Sequence, residues 1–177
     1  MKRTSIVFAF CFLVVSFAQA QTGNNQVGIG AEVNMPLGSF GDAYKTGFGG
    51  TIKGLYGVGK AGQLTFTTGY SAFKGKSETN LGYSYAGQTF TMIPLLAGYR
   101  HHFTGLYVEP QIGATVNGTK ASGVNVETMT KFAFAVNVGY EINGLDLSLR
   151  YHTEGDVLSL FAARIGYNFS LGKKNMK

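Results

Sequence analysis

Residues 145–154, LDLSLRYHTE, alternate without a break between oily and wet positions. Leu145, Leu147, Leu149 and Tyr151 fall on one side, and Asp146, Ser148, Arg150, His152 and Glu154 on the other. Successive side chains of a β-strand point to opposite faces, so this stretch reads as a strand with one apolar and one polar face. The same period returns along the chain and predicts strands near 25–35, 46–58, 62–74, 89–102, 105–117, 130–142 and 159–171 as well. In the sixth, Phe132, Phe134, Val136, Val138, Tyr140 and Ile142 oppose Lys131, Asn137, Gly139 and Glu141. The fourth is the least regular, because Met92 and Leu96 fall on its polar side. No segment after residue 20 carries a convincing apolar repeat at helical spacing.

The connections alternate as the strands do. Those near 36–45, 75–88, 118–129 and 154–158 are mostly long and polar. Gly59-Lys60-Ala61, Phe103-Thr104-Gly105 and Asn143-Gly144 are tight, and Asn-Gly between alternating strands is a strong hairpin signal. Eight antiparallel strands with one long-looped and one short-turned end predict an all-β, up-and-down barrel, which closes and so leaves no sheet edge exposed. The polarity of the two faces decides its solvent. The apolar face carries large residues, among them Phe48, Phe66, Tyr70, Phe132, Phe134, Phe161, Tyr167 and Phe169, while the polar face is rich in small residues with scattered charges. An eight-stranded barrel has a narrow interior that side chains just fill. Glycines and a few charges suit it and the aromatics do not. The aromatics therefore face outward, which only lipid tolerates, with Phe66, Phe132, Phe134, Phe161 and Tyr167 as lipid-facing residues. A secreted, lipocalin-like barrel would have the opposite polarity.

The first residues agree with that solvent. Lys2 and Arg3 precede an almost unbroken apolar run, Ile6 to Ala18, and Ala18-Gln19-Ala20 has the form of a signal-peptidase site. Residues 1–20 are expected to be a cleaved secretory signal and 21–177 the barrel domain. Cys11, the single cysteine, leaves with the signal, so the mature chain holds no disulfide or cysteine metal site. The formal charge is +6, but no basic stripe interleaves with aromatics, and nucleic acid is not an expected partner.

The hairpin series, IPLLAGYRHHF at 93–103 and RIGYNFSL at 164–171 together resemble the small bacterial outer-membrane β-barrel proteins of the OmpX and OmpA-barrel kind. The nearest likeness is to the outer membrane protein beta-barrel domain family of Bacteroidetes. This resemblance implies a bacterial outer-membrane location, contact with outer-membrane lipids, a monomer, and insertion by the barrel-assembly machinery. Arg164, Gly166, Phe169 and Leu171 match the assembly signal that this machinery reads, although Gly172 to Lys177 follow where such proteins often end.

Candidate chemistry is sparse. Gly57-Val58-Gly59-Lys60-Ala61-Gly62 fits a dinucleotide fingerprint, but a strand pattern follows where a helix is required, so it reads as a turn. His101 and His102 are adjacent in a strand and point to opposite faces; His101 is expected at the membrane interface and His102 at the lumen mouth. His152 with Ser148 or Ser159 fails as a hydrolase pair, since Ser148 lies four strand residues away and Ser159 beyond the last loop. No catalytic residue, cofactor or metal is expected. The lumen is expected to hold a charge network of Glu32, Lys53, Arg100, Glu109, Lys131, Glu141, Asp146, Arg150, His152, Glu154 and Arg164. An Asn143-Gly144 turn sets Glu141 opposite Asp146, with Arg150 and Arg164 as the nearest cations. Arg100 should approach Glu109, and Lys53 should approach Glu32. The reading is of a non-enzymatic barrel with a side-chain-filled lumen. Its loops 75–88 and 118–129 would meet an unidentified ligand at the cell surface. A lipid-modifying enzyme or a narrow solute channel is the alternative.

Overall fold

A computed structural model describes residues 25–58, 61–77, 84–121, 124–155 and 158–171. The expected signal, 1–20, Gly59 and Lys60 of the first expected tight turn, the middle of the 75–88 loop, residues 122–123 and 156–157 of the later connections, and the tail from Gly172 lie outside the described residues. The strands are β1 (Gln26–Leu37), β2 (Gly47–Val58), β3 (Gly62–Lys74), β4 (Gln88–Phe103), β5 (Leu106–Ala121), β6 (Val124–Ile142), β7 (Leu145–Thr153) and β8 (Ser159–Ser170). Each pairs antiparallel with the next, and β8 closes on β1 from Gln26↔Ser170 to Leu37↔Ser159, so the sheet is a complete barrel.

The two-residue period sets which way every side chain points. Along β7, Leu145, Leu147, Leu149 and Tyr151 are exposed, while Asp146, Ser148, Arg150 and His152 are buried. Phe66, Phe132, Phe134, Phe161 and Tyr167 all stand exposed on the outer wall, Phe132 at 67%. Arg100, Glu109 and Asp146 have no exposed surface. Burial is thus inverted relative to a water-soluble barrel: charges inside, aromatics outside. Met92 and Leu96, the two residues that break the pattern of β4, do point inward and are fully buried.

The short turns follow their residues. Asn143 and Gly144 have φ of 52° and 87°, and Thr104 and Gly105 have φ of 51° and 92°. Positive φ at both central residues gives the turn whose twist matches that of the flanking strands. Tyr140 packs over Gly105 and Tyr167 over Gly144, which leaves no room for a Cβ at either glycine. Two ladders are interrupted at prolines. Pairing of β3 with β4 skips from Thr68↔Leu95 to Ser71↔Met92 across Pro94. Pairing of β4 with β5 skips from Gly98↔Gln111 to His101↔Val108 across Pro110. A proline has no N–H to give to the ladder.

Two connections differ from the sequence reading. The stretch 36–45 is not wholly a loop: β1 runs to Leu37 and a short helix, α1 (Gly38–Ala43), follows. The stretch 118–129 is mostly strand, because β5 continues to Ala121 and β6 begins at Val124, with a register shift between Thr119 and Lys120. A hairpin end that stands above the lipid has water on both faces, so it loses the alternation by which strands are recognised.

Candidate functional site

Buried inward side chains line the lumen from the short turns toward the long loops. Nearest the short turns, Arg100 is the hub. Its Nε donates to Glu109 at 2.8 Å, and its two terminal nitrogens donate to Glu141 at 2.9 Å and Asp146 at 3.1 Å. The guanidinium carbon lies 3.7 Å from the centre of the Tyr107 ring, and the Tyr107 hydroxyl donates to Asp146 at 2.6 Å. Lys53 donates to both oxygens of Glu109, at 3.0 and 3.1 Å. Arg164 donates to Asp146 at 3.1 Å and to the Thr51 hydroxyl at 2.8 Å. Three cations thus face three carboxylates, and the layer is neutral as a unit. That balance matters, because a buried charge without a partner costs several kcal/mol. Thr65 and Gln111 occupy remaining lone pairs of Glu109, and Asn168 does the same for Glu141.

Glu141 does stand opposite Asp146, as the turn requires. The cation between them is Arg100, from β4 on another part of the wall, with Arg164 beside it. Arg150 goes elsewhere: it donates to both oxygens of Glu32, at 2.9 and 3.0 Å. Nor does Lys53 meet Glu32. The register sets Lys53 against Gly28 and Glu32 against Gly49, and each residue pairs across the lumen instead. Neighbouring-strand geometry, the only geometry a sequence offers, does not see contacts made across a barrel.

The lumen glycines make room for these long side chains. A Cβ at Gly30 or Gly166 would lie 2.7 or 2.6 Å from the Arg164 guanidinium, and one at Gly139 would lie 2.5 Å from the Tyr107 ring.

Above the Arg150–Glu32 pair, which Ser71 and Asn34 complete, His152 lies 3.4 Å from Glu154, and Asn117 donates to the other oxygen of that carboxylate. Ser148 lies four residues down β7 from His152, about 13 Å by strand rise. Ser159 is on the outer side, where its hydroxyl is 3.0 Å from that of Thr153. Neither serine is placed for attack with His152 as base. Lys131, half-buried and opposite Thr115, joins no carboxylate among the described residues. His102 bonds Gln63 at 2.9 Å at the short-turn mouth, and His101 packs outside against Phe103. No cluster of three or more His, Cys, Asp or Glu side chains that could hold a metal occurs among the described residues.

The long-loop mouth is closed by an apolar stopper. Phe40 of α1, Tyr44, Phe73, Met92, Leu158, Leu160 and Ala162 form one buried cluster. Phe40 is its centre, with ring centroids 5.0 Å from Tyr44, 5.3 Å from Phe73 and 5.0 Å from Phe90. Burial pushes the Tyr44 phenol up from its ordinary pKa, and Tyr85 beside it acts in the same direction. The sequence reading missed this stopper. The available signals were Phe40 and Tyr44, four apart in a polar connection, and Phe73, on the polar side of β3.

The fold is that of a small transmembrane β-barrel. No protein-family model and no curated protein sequence matches the chain. Solved structures do match. Ail, the attachment invasion locus protein of Yersinia pestis, superposes with a TM-score of 0.58 at 13% identity, over 84% of this chain and 99% of that one. Ail in complex with the heparin analogue sucrose octasulfate gives 0.59, also at 13% identity, over the same 84% and 99%. Neisserial surface protein A gives 0.53 at 17% identity, over 83% and 97%. At these identities the likeness is one of fold.

Proposed function

We propose that this chain is a non-enzymatic, monomeric barrel of a bacterial outer membrane that holds its long-loop end at the cell surface for envelope or surface contacts. The observation that carries this reading is the pairing of an apolar outer wall with a lumen crossed by ion-paired side chains below and by the Phe40 stopper above. A narrow interior packed in this way leaves the loops, rather than the bore, as the working surface. In this reading residues 1–20 direct export and are removed. The barrel-assembly machinery then reads Arg164, Gly166, Phe169 and Leu171. Phe169 on β8 and Leu171 just past its end stand exposed, which is consistent with recognition from outside.

The test is conductance of the purified barrel in a planar bilayer. The expected result is no steady conductance. Steady current whose ion selectivity changes in Arg150→Leu, with the barrel equally stable, would show a channel instead.

A further inference from the structure

On the outer wall of β1, β2 and β3 is a groove of about 660 Å³. Ile29, Ala31, Gly50, Ile52 and Tyr70 line it. Its floor is low because the paired Ala31 and Gly50 are small and Gly50 carries no side chain between the exposed Phe48 and Ile52, while the exposed Tyr70, paired with Gly50, stands at its side. A Cβ at Gly50 would meet nothing closer than 3.7 Å, so the dent is open rather than packed. Four residues beyond Tyr70 on β3, toward the long-loop end, is exposed Lys74; exposed Lys45 joins it, its N–H donating to the Lys74 carbonyl at 2.8 Å. The outward positions of β1–β3 carry no carboxylate among the described residues.

We infer that this face is a binding site for an anionic, phosphate-bearing lipid of the outer leaflet. The groove is continuous with the lipid-facing wall, so the occupant at its depth is an acyl chain. Four strand residues separate it from the lysines, about 13 Å along the strand and about 9 Å along the membrane normal at a strand tilt near 45°, which sets the lysines nearer the headgroups than the groove is. Two ammonium groups there, neither in an ion pair among the described residues, complement a phosphate, and each basic residue near an anionic surface favours it about fivefold. The inference rests on the membrane-barrel reading and adds to it a particular place and a headgroup charge.

The experiment is native mass spectrometry of the barrel released from detergent, with phosphatidylglycerol and phosphatidylcholine of identical chains as probes and inorganic phosphate as a third. Phosphatidylglycerol should be retained over phosphatidylcholine, and inorganic phosphate alone should not compete. The Lys45→Gln, Lys74→Gln double variant should lose that preference while binding phosphatidylcholine unchanged. Gly50→Leu fills the groove and should reduce retention of both lipids. Gly54→Leu is the matched control, because a Cβ at Gly54 also meets nothing within 4 Å. If Gly50→Leu behaves as Gly54→Leu does, or the lysine variant keeps the preference, the site is refuted. Competition by inorganic phosphate would mean an anion site rather than a lipid site. Failure of the wild type to enter vesicles at all would instead sink the membrane reading.

Discussion

At the level of single residues, two opposite sensitivities follow from which way a side chain points. Phe134 faces lipid away from the strand ends, with 42% of its surface exposed to the bilayer region. An arginine there costs about 2–4 kcal/mol at mid-membrane. Phe134→Arg should therefore lower folding stability by about that amount in a vesicle-folding titration, whereas Phe134→Leu should fold almost as the parent does. Inside, Arg150 and Glu32 neutralise each other across the lumen. Removing one partner of a buried pair commonly costs about 3–5 kcal/mol, because the other charge is left stranded. Arg150→Leu should be strongly destabilised in urea titration of the membrane-folded protein, and adding Glu32→Gln should recover part of the loss. Adding Asp146→Asn should not, since Asp146 keeps Arg100 and Arg164. A rescue by Asp146→Asn rather than Glu32→Gln would mean that the pairing across the barrel is wrong.

Among elements, the turns and α1 carry distinct burdens. Gly144 has a φ of 87° and lies under the Tyr167 ring. A side chain there meets both the left-handed backbone and the ring. The conformation alone costs about 1–2 kcal/mol for a residue with a Cβ. Gly144→Val should slow and weaken barrel folding measured by the shift between folded and heat-denatured bands on a gel, while Gly155→Val, whose added Cβ meets nothing, should cost less. α1 is too short to hold its shape by helical bonds alone. It is held by the Phe40 ring within the stopper. Phe40→Ala should leave the strands folded but raise proteolysis at the 38–43 segment; unchanged cleavage would deny Phe40 that role. Truncating a buried Phe typically costs about 3–5 kcal/mol, which the α1 segment alone cannot absorb.

For the whole molecule, the closed sheet and its outward aromatics predict recovery with outer membranes and heat-modifiable migration; recovery as a soluble protein would overturn the architecture. The sequence by itself determined the eight strands over their alternating spans, the tight turns at 103–105 and 143–144, and which face meets lipid. These are local consequences of a two-residue period and of the volume an eight-stranded interior can hold. It also determined Glu141 opposite Asp146, because a two-residue turn fixes register between neighbours. The tertiary structure alone decided which cation serves which carboxylate. Arg100 reaches Asp146 from β4 to β7, and Arg150 reaches Glu32 from β7 to β1, distances that depend on the barrel closing rather than on the chain between them. It alone decided the stopper and the outer groove. In the stopper, Phe40, Phe73 and Met92 come from three separate segments, each reading locally as an exception to its own pattern. The groove forms because Ala31 and Gly50 fall in the same row as Tyr70, a coincidence of register across three strands that no single segment records.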